Sequence, residues 1–224
     1  HSDKDGKFGP EEQQELEEKI QVLYDEFSEF RNVRSVINIL YHAMEKAMQS
    51  NSTKIDETVI DEAIRQSYPG LRVRGSIMNI PISDFLAIRR NGGDSGKEIK
   101  KAVKSLTVFA QEMGTIQKLE KQNLLLDAVY EDNFGAKVGL AVIADELGIP
   151  DLEQISDIWK SAVVDKLIIL TNKKIQAPYN STIVNIDKSK LVDLIYFNNK
   201  YGGKKIAEED NERIELLAKT LSII

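Results

Sequence analysis

A chain of 224 residues with 42% hydrophobic side chains has enough apolar material for a real core, which excludes a wholly disordered protein. With no cysteine and only two histidines, disulfides and thiolate metal sites are excluded and an all-protein zinc site is disfavoured. No apolar run reaches the length of a membrane span, and the composition reads as that of a cytoplasmic protein. The net charge of −6 is unevenly spread: residues 1–70 carry 15 acids against 8 bases, whereas residues 71–115 carry 8 bases against 4 acids. Residues 116–180 are again acidic, so the positive potential needed to meet phosphate is concentrated in the middle of the chain.

Taken in order, His1-Ser2 and the charged stretch after it, with no initiator Met, read as a tag remnant joined to a fragment, and residues 1–9 are set aside. Gly9-Pro10 with Glu11 and Glu12 is a helix start, and Leu16, Ile20, Leu23, Phe27 and Phe30 follow at helical spacing. A second helix is expected to turn inward a stripe that includes Val33, Val36, Ile37, Leu40, Tyr41, Met44 and Met48. Asp56 caps a third, whose face is Val59, Ile60, Ala63 and Ile64 and which Pro69-Gly70 stops. Residues 10–70 are therefore expected to form a three-helix bundle.

Within that bundle, the run Arg31-Asn32-Val33-Arg34 resembles the start of the sensor-2 helix in the lid of AAA+ ATPases, and Ile55 to Ile64 resembles the last helix of the lid. The resemblance implies that Arg34 senses nucleotide, reaching the γ-phosphate of ATP held with magnesium on a core domain of a longer parent protein. A lid followed by a winged helix is similar to the C-terminal part of origin-recognition and replication-initiator ATPases. No Walker-type phosphate loop is present, because Gly92-Gly93-Asp94-Ser95-Gly96-Lys97 has the wrong spacing, so no cofactor and no catalytic residue is assigned to this fragment.

Residues 71–115 read as a basic connector. Arg72 and Arg74 follow Pro69-Gly70, Phe85, Leu86 and Ile88 mark a short element, and Arg89 and Arg90 precede the glycine loop. Ser95 and Glu98 fit a capping box, and Ile99, Ala102, Val103, Leu106, Phe109 and Ala110 then recur on one face of a helix that carries Lys97, Lys100, Lys101 and Lys104 in its first turns.

From residue 116 to 224 the pattern reads as a winged-helix domain, which makes the expected fold class mainly α. A helix over about 116–130 opens it. A helix through Val138, Ala141, Val142 and Leu147 turns at Gly148 into a recognition-type helix with Leu152, Ile155, Trp159, Val163 and Leu167 on its apolar face. Leu167–Leu170, Ile175–Pro178 and Ser181–Ile186 supply the strands of the wing. Leu191, Leu194 and Ile195 mark a further helix broken at Tyr201-Gly202-Gly203, and Glu208 to Leu221 the last one, with Ile214, Leu217, Ala218 and Leu221 inward.

Two function classes follow. In the first, the chain couples the nucleotide state of an ATPase to double-stranded DNA, with Gln154, Lys160 and Ser161 toward bases and Lys173, Lys174 and Gln176 of the wing toward the backbone. The basic middle then adds Arg72, Arg74, Arg89, Arg90, Lys97, Lys100 and Lys101 as phosphate contacts. In the second, the chain is a non-catalytic interaction module that docks a protein partner or closes a homo-oligomer; neither class involves a membrane.

Overall fold

The computed structural model of the chain describes residues 10–51, 55–90, 96–117, 126–143, 164–172, 181–204 and 206–224. They divide into two compact units, the first comprising residues up to 74 together with 79–87, the second residues 75–78 together with 88–224. Among the described residues there are seven α-helices and one five-stranded mixed sheet, so the chain is a mixed α and β protein.

In the first unit, helices α1 (Pro10–Glu26), α2 (Val33–Gln49) and α3 (Glu57–Ser67) stand where the apolar periodicity places them. Asn32 caps α2 by accepting from the Ser35 N–H at 2.8 Å, and Asp56 caps α3 through the Val59 N–H at 3.0 Å, each satisfying an amide left over by the first turn. From α1 and the 3₁₀ turn after it, Leu16, Leu23, Phe27 and Phe30 are buried as their spacing requires. Phe27 meets the edge of Phe85 at a centroid distance of 5.6 Å, and Phe30 meets Tyr68 at 4.8 Å. Lys19 of α1 and Asp61 of α3 form an ion pair of 2.8 Å with both side chains about nine-tenths covered.

Helix α2 departs from its expected orientation. The side chains it buries are Ile39, Ala43 and Ala47, and it packs them on α3, where Ile60, Ala63 and Ile64 are buried in turn. Ala43 and Ala47 stand at i and i+4 on that packed face, where small side chains suit close helix packing, and the bulkier stripe is left facing outward. Val33, Ile37, Tyr41, Met44 and Met48 are 54–76% exposed. The remainder of this unit is the pairing of Leu71–Val73 with Ile80–Ile82, through the Val73 N–H to Ile80 O at 2.9 Å and the Ile82 N–H to Leu71 O at 3.2 Å, and the first residues of α4 (Ile82–Arg90).

The second unit is built on strands β1 (Ile116–Gln117), β2 (Ala128–Asp132), β3 (Lys137–Ile143), β4 (Lys166–Thr171) and β5 (Ser181–Asn185), in that spatial order. The pairs β1–β2 and β2–β3 are antiparallel, with Ala128 opposite Leu140; β3–β4 and β4–β5 are parallel, with Gly139 beside Leu167 and Ile169 beside Ile183. Helices α5 (Gly96–Glu112), α6 (Lys188–Tyr201) and α7 (Glu208–Thr220) pack together, and α5 also packs on β1 and β3. In α5, Ile99, Ala102, Val103, Leu106, Phe109 and Ala110 are all buried, and in α7 so are Ile214, Leu217 and Ala218, as their periodicity foretells.

This sheet overturns two expected helices. Residues 116–117, 128–132 and 137–143 are strands, so the described parts of the helix expected over 116–130 and of the first helix of the helix-turn-helix are not helical, residues 118–125 and 144–147 lying outside the described residues, and β structure is not confined to a wing. The physical reason lies in β3, where Val138, Gly139, Leu140, Ala141 and Val142 are all buried, since a strand covered on both faces reads as a continuous apolar run and loses its period of two. Leu167–Leu170 and Ser181–Asn185 are strands as expected, yet they pair in parallel, which no hairpin wing can do. The recognition-type helix over 152–163 and the Ile175–Pro178 strand lie outside the described residues.

One face of the sheet buries Val129, Ala141, Leu167 and Ile169 with Leu126, and Val164 and Ile143 pack against them. Gly139 belongs to this face; a Cβ there would stand 2.7 Å from Leu126 Cδ1 and 3.2 Å from Val164 Cγ1. Tyr130, nearly inaccessible, donates its hydroxyl to the Ile223 carbonyl at 2.8 Å, and burial raises its pKa far above the ordinary phenol range. Asp193 of α6, also inaccessible, accepts from Ser76 Oγ at 2.5 Å, the Ile77 N–H at 3.0 Å and the Met78 N–H at 3.1 Å, which ties residues 76–78 to the second unit. Burial pushes its carboxyl above the usual range in spite of these donors.

Two substitutions check this packing. Gly139→Ala overpacks the strand and is expected to cost about 1–3 kcal/mol in urea unfolding; no measurable cost would mean that the Leu126–Val164 contact is looser than described. Asp193→Ala leaves two amides and a hydroxyl without their acceptor and is expected to cost roughly 3 kcal/mol, whereas a loss below about 0.5 kcal/mol would remove Asp193 from the structural account.

Candidate nucleic-acid interface

Where α5 passes α6, the second unit has a groove of about 590 Å³. The lysines reach it because α5 repeats Lys97, Lys101 and Lys104 at i, i+4 and i+7, which places them along one side of the helix opposite its buried face. Lys101 and Lys104 line the groove from α5, and Lys204 lines it from the turn after α6. Its floor is Phe109, Phe197 and Tyr201, all buried, and Glu112 is the single acid on its rim. Ser105, midway along, donates to the Lys101 carbonyl at 3.0 Å and to Asn198 Oδ1 at 3.2 Å, so α5 is pinned to α6 at the groove itself. Lys204 is positioned by Gly203, whose φ of 72° lies in the left-handed region, and by its own N–H donating to the Tyr201 carbonyl at 2.8 Å.

The aromatic floor is held from behind by a network around Asp210 of α7. The Tyr201 hydroxyl donates to the Asp210 carboxylate, Lys200 Nζ lies 3.2 Å from its Oδ2 and Arg213 3.3 Å from its Oδ1. The Tyr201 bond, followed by Lys200, lowers the Asp210 pKa below the ordinary carboxylate range; burial and the same bond raise that of Tyr201. Lys200 Nζ also sits 4.8 Å from the Tyr201 ring centroid. Although burial works against its charge, the hydrogen bonds to Tyr201 and Asp210 prevail and raise its pKa, so this ammonium is committed to the protein. By contrast, Lys101, Lys104 and Lys204 make no ion pair among the described residues, and a cation without a partner over an apolar floor attracts anions most strongly.

Not every residue expected to meet phosphate lies here. Lys97 is exposed on the same side of α5, while Lys100 points away and stands 3.5 Å from Asp127 Oδ1. Asp127 itself accepts from the Val142 N–H at 2.6 Å, capping the stretch of β3 that outruns β2. Arg72, in the first unit, turns its guanidinium back on the Pro69 and Leu71 carbonyls at 2.9 and 3.1 Å, a use that competes with any phosphate. Arg74 and Arg89 are exposed, and Arg90 ends α4. Gln154, Lys160, Ser161, Lys173, Lys174 and Gln176 lie outside the described residues. Arg34 is exposed in the first turn of α2. Lys204 escaped sequence reasoning, although Gly202-Gly203-Lys204-Lys205 at the end of a helix is a visible signal of basic residues on a tight turn.

No family model, curated protein or solved structure matches this chain.

The Asp210 network has a pH signature with a definite sign. A carboxylate whose folded pKa lies below its unfolded value of about 3.9 contributes fully above that value and loses the contribution as pH falls through the folded one. The stability difference between the native chain and Asp210→Asn is therefore expected to be constant from neutral pH down to about 4 and to shrink below it. A difference that stays level down to pH 2 would mean that the carboxylate is not held by Tyr201 and Lys200.

Proposed function

We propose that this chain is a nucleic-acid-binding module whose second unit holds the phosphates of double-stranded DNA along α5 and in the groove between α5 and α6. The observation that carries the reading is the convergence of Lys101, Lys104 and Lys204, none of them ion-paired among the described residues, over a floor of buried aromatic rings. Two ammonium groups on α5 with a third facing them from the turn after α6 suit an extended phosphodiester backbone better than a single small anion, and Lys97 extends the α5 row by one turn. The uneven charge of the chain agrees with this, since the basic segment 71–115 contains α5. The helix-turn-helix has no part in the reading, because β3 occupies the place of its first helix. The nucleotide-sensing role that the lid resemblance implies for Arg34 is supported by its exposure in the first turn of α2, and the DNA reading does not depend on it. A second reading, a protein-interaction module, is favoured by the apolar outward face of α2.

Binding of a labelled DNA duplex, followed by fluorescence anisotropy across a salt series, tests the DNA reading. Lys101→Ala with Lys104→Ala is expected to weaken binding about tenfold or more at low salt and to reduce the slope of log affinity against log salt by about 1.8, two phosphate contacts at about 0.9 each. Lys100→Ala, which removes a lysine paired with Asp127, is expected to change the slope by less. An unchanged slope in the double variant, or no binding by the native chain at low salt, overturns the reading.

A further inference from the structure

We infer that two copies of this chain associate through the outward face of α2, antiparallel about a two-fold axis that passes between Leu40 and Tyr41. This deepens the protein-interaction reading of the first unit and is independent of the groove. The face is Val33, Ile37, Tyr41, Met44 and Met48, at spacings of four, four, three and four, which keep all five within less than a quarter of the helix circumference. Every one of them is more than half exposed, and large apolar side chains in one unbroken row are the feature that distinguishes an interface from ordinary scattered surface hydrophobics. Covering the row hides roughly 600 Å² per copy and about 1,200 Å² for the pair, the lower end of what a specific interface buries.

The charges beside the row select a second copy as the occupant. Arg34 and Glu45 flank it on the same side, one near each end of the helix, with Asn38 between them. A two-fold axis that reverses the helix keeps both polar flanks on one side of the pair and brings Arg34 of each copy to within about two residues, roughly 3 Å along the axis, of Glu45 of the other. Two Arg–Glu pairs then close symmetrically around the apolar row. A parallel two-fold arrangement would instead carry the polar flanks of the two copies to opposite edges of the row, where no Arg34 meets a Glu45, and would align the helix dipoles unfavourably. Lys46 lies on a different side, 3.7 Å from Glu62, and His42 Nδ1 stands 3.3 Å from Glu45 Oε2 within the same copy, which leaves the Oε1 of that carboxylate for the Arg34 of the other. At the centre, Tyr41 meets its own symmetry mate, and Ile37 meets Met44 of the other copy.

Sedimentation equilibrium and light scattering on the whole chain test this. The native chain is expected to pass from monomer to dimer over roughly 1–100 μM, the range suited to an interface of this size. Ile37→Glu with Met44→Glu is expected to be monomeric throughout, with a native far-UV dichroism spectrum because both positions face solvent in the single chain. Arg34→Glu alone is expected to weaken the dimer about tenfold, and Arg34→Glu combined with Glu45→Arg to restore it, a rescue that a general effect on folding would not produce. A native chain that stays monomeric up to 100 μM, which would leave the face to a different partner, overturns the inference. So does a dimer indifferent to the paired glutamates, or a charge reversal that restores nothing.

Discussion

Burial of β3 on both faces is the condition on which the second unit depends. A strand in that position must pair on each edge and pack on each side, and β3 does so antiparallel to β2, parallel to β4, against α5 on one face and in the Leu126–Val129–Leu167 cluster. A side chain at residue 139 would require Leu126 and Val164 to shift, because their tips stand 2.7 and 3.2 Å from the place of a Cβ. Once β3 is set, α5 is set with it, since its buried residues Ile99, Ala102, Val103 and Leu106 leave only one way to face the core. The lysine row of α5 is therefore the outward consequence of an inward constraint. Its orientation owes nothing to the anion it would meet.

Beyond that, the groove needs α6 to end where it does. Tyr201 is the last residue of α6 and also part of the groove floor, and its hydroxyl is tied to Asp210 in the first turn of α7. The same carboxylate takes up Lys200 and Arg213, so the acid consumes two neighbouring cations and leaves Lys204 to the groove. A buried carboxylate with one partner removed leaves the others uncompensated, which makes such a cluster cooperative and sensitive to any one of its members.

In the first unit the deciding feature is small side chains. Ala43 and Ala47 on the buried face of α2 take less room against α3 than Met44 or Met48 would, and the helix has its larger apolar residues toward solvent. The Lys19–Asp61 ion pair fixes α1 to α3 in one arrangement; inside a protein such a pair stabilises little on balance, but it penalises any packing that separates its members.

By itself the sequence determined the helices whose caps and one-sided periodicity agree. α5 and α7 bury the faces that their spacing names, α3 does so for Ile60, Ala63 and Ile64 with Val59 half-buried, and the break at Gly202-Gly203 is where α6 stops, because local propensity and tertiary packing ask for the same residues there. The concentration of positive charge in residues 71–115 was equally legible, and with it Lys97, Lys101 and Lys104. Tertiary structure alone decided three other matters. Residues 128–132 and 137–143 became strands because burial on both faces erases the alternation that would have announced them. The strands at 166–171 and 181–185 became parallel neighbours because pairing direction is set by where the chain returns, which no local pattern encodes. And α2 presented its larger apolar stripe outward because small side chains suit close packing on α3, a choice between two apolar faces that a periodicity of 3.6 cannot make.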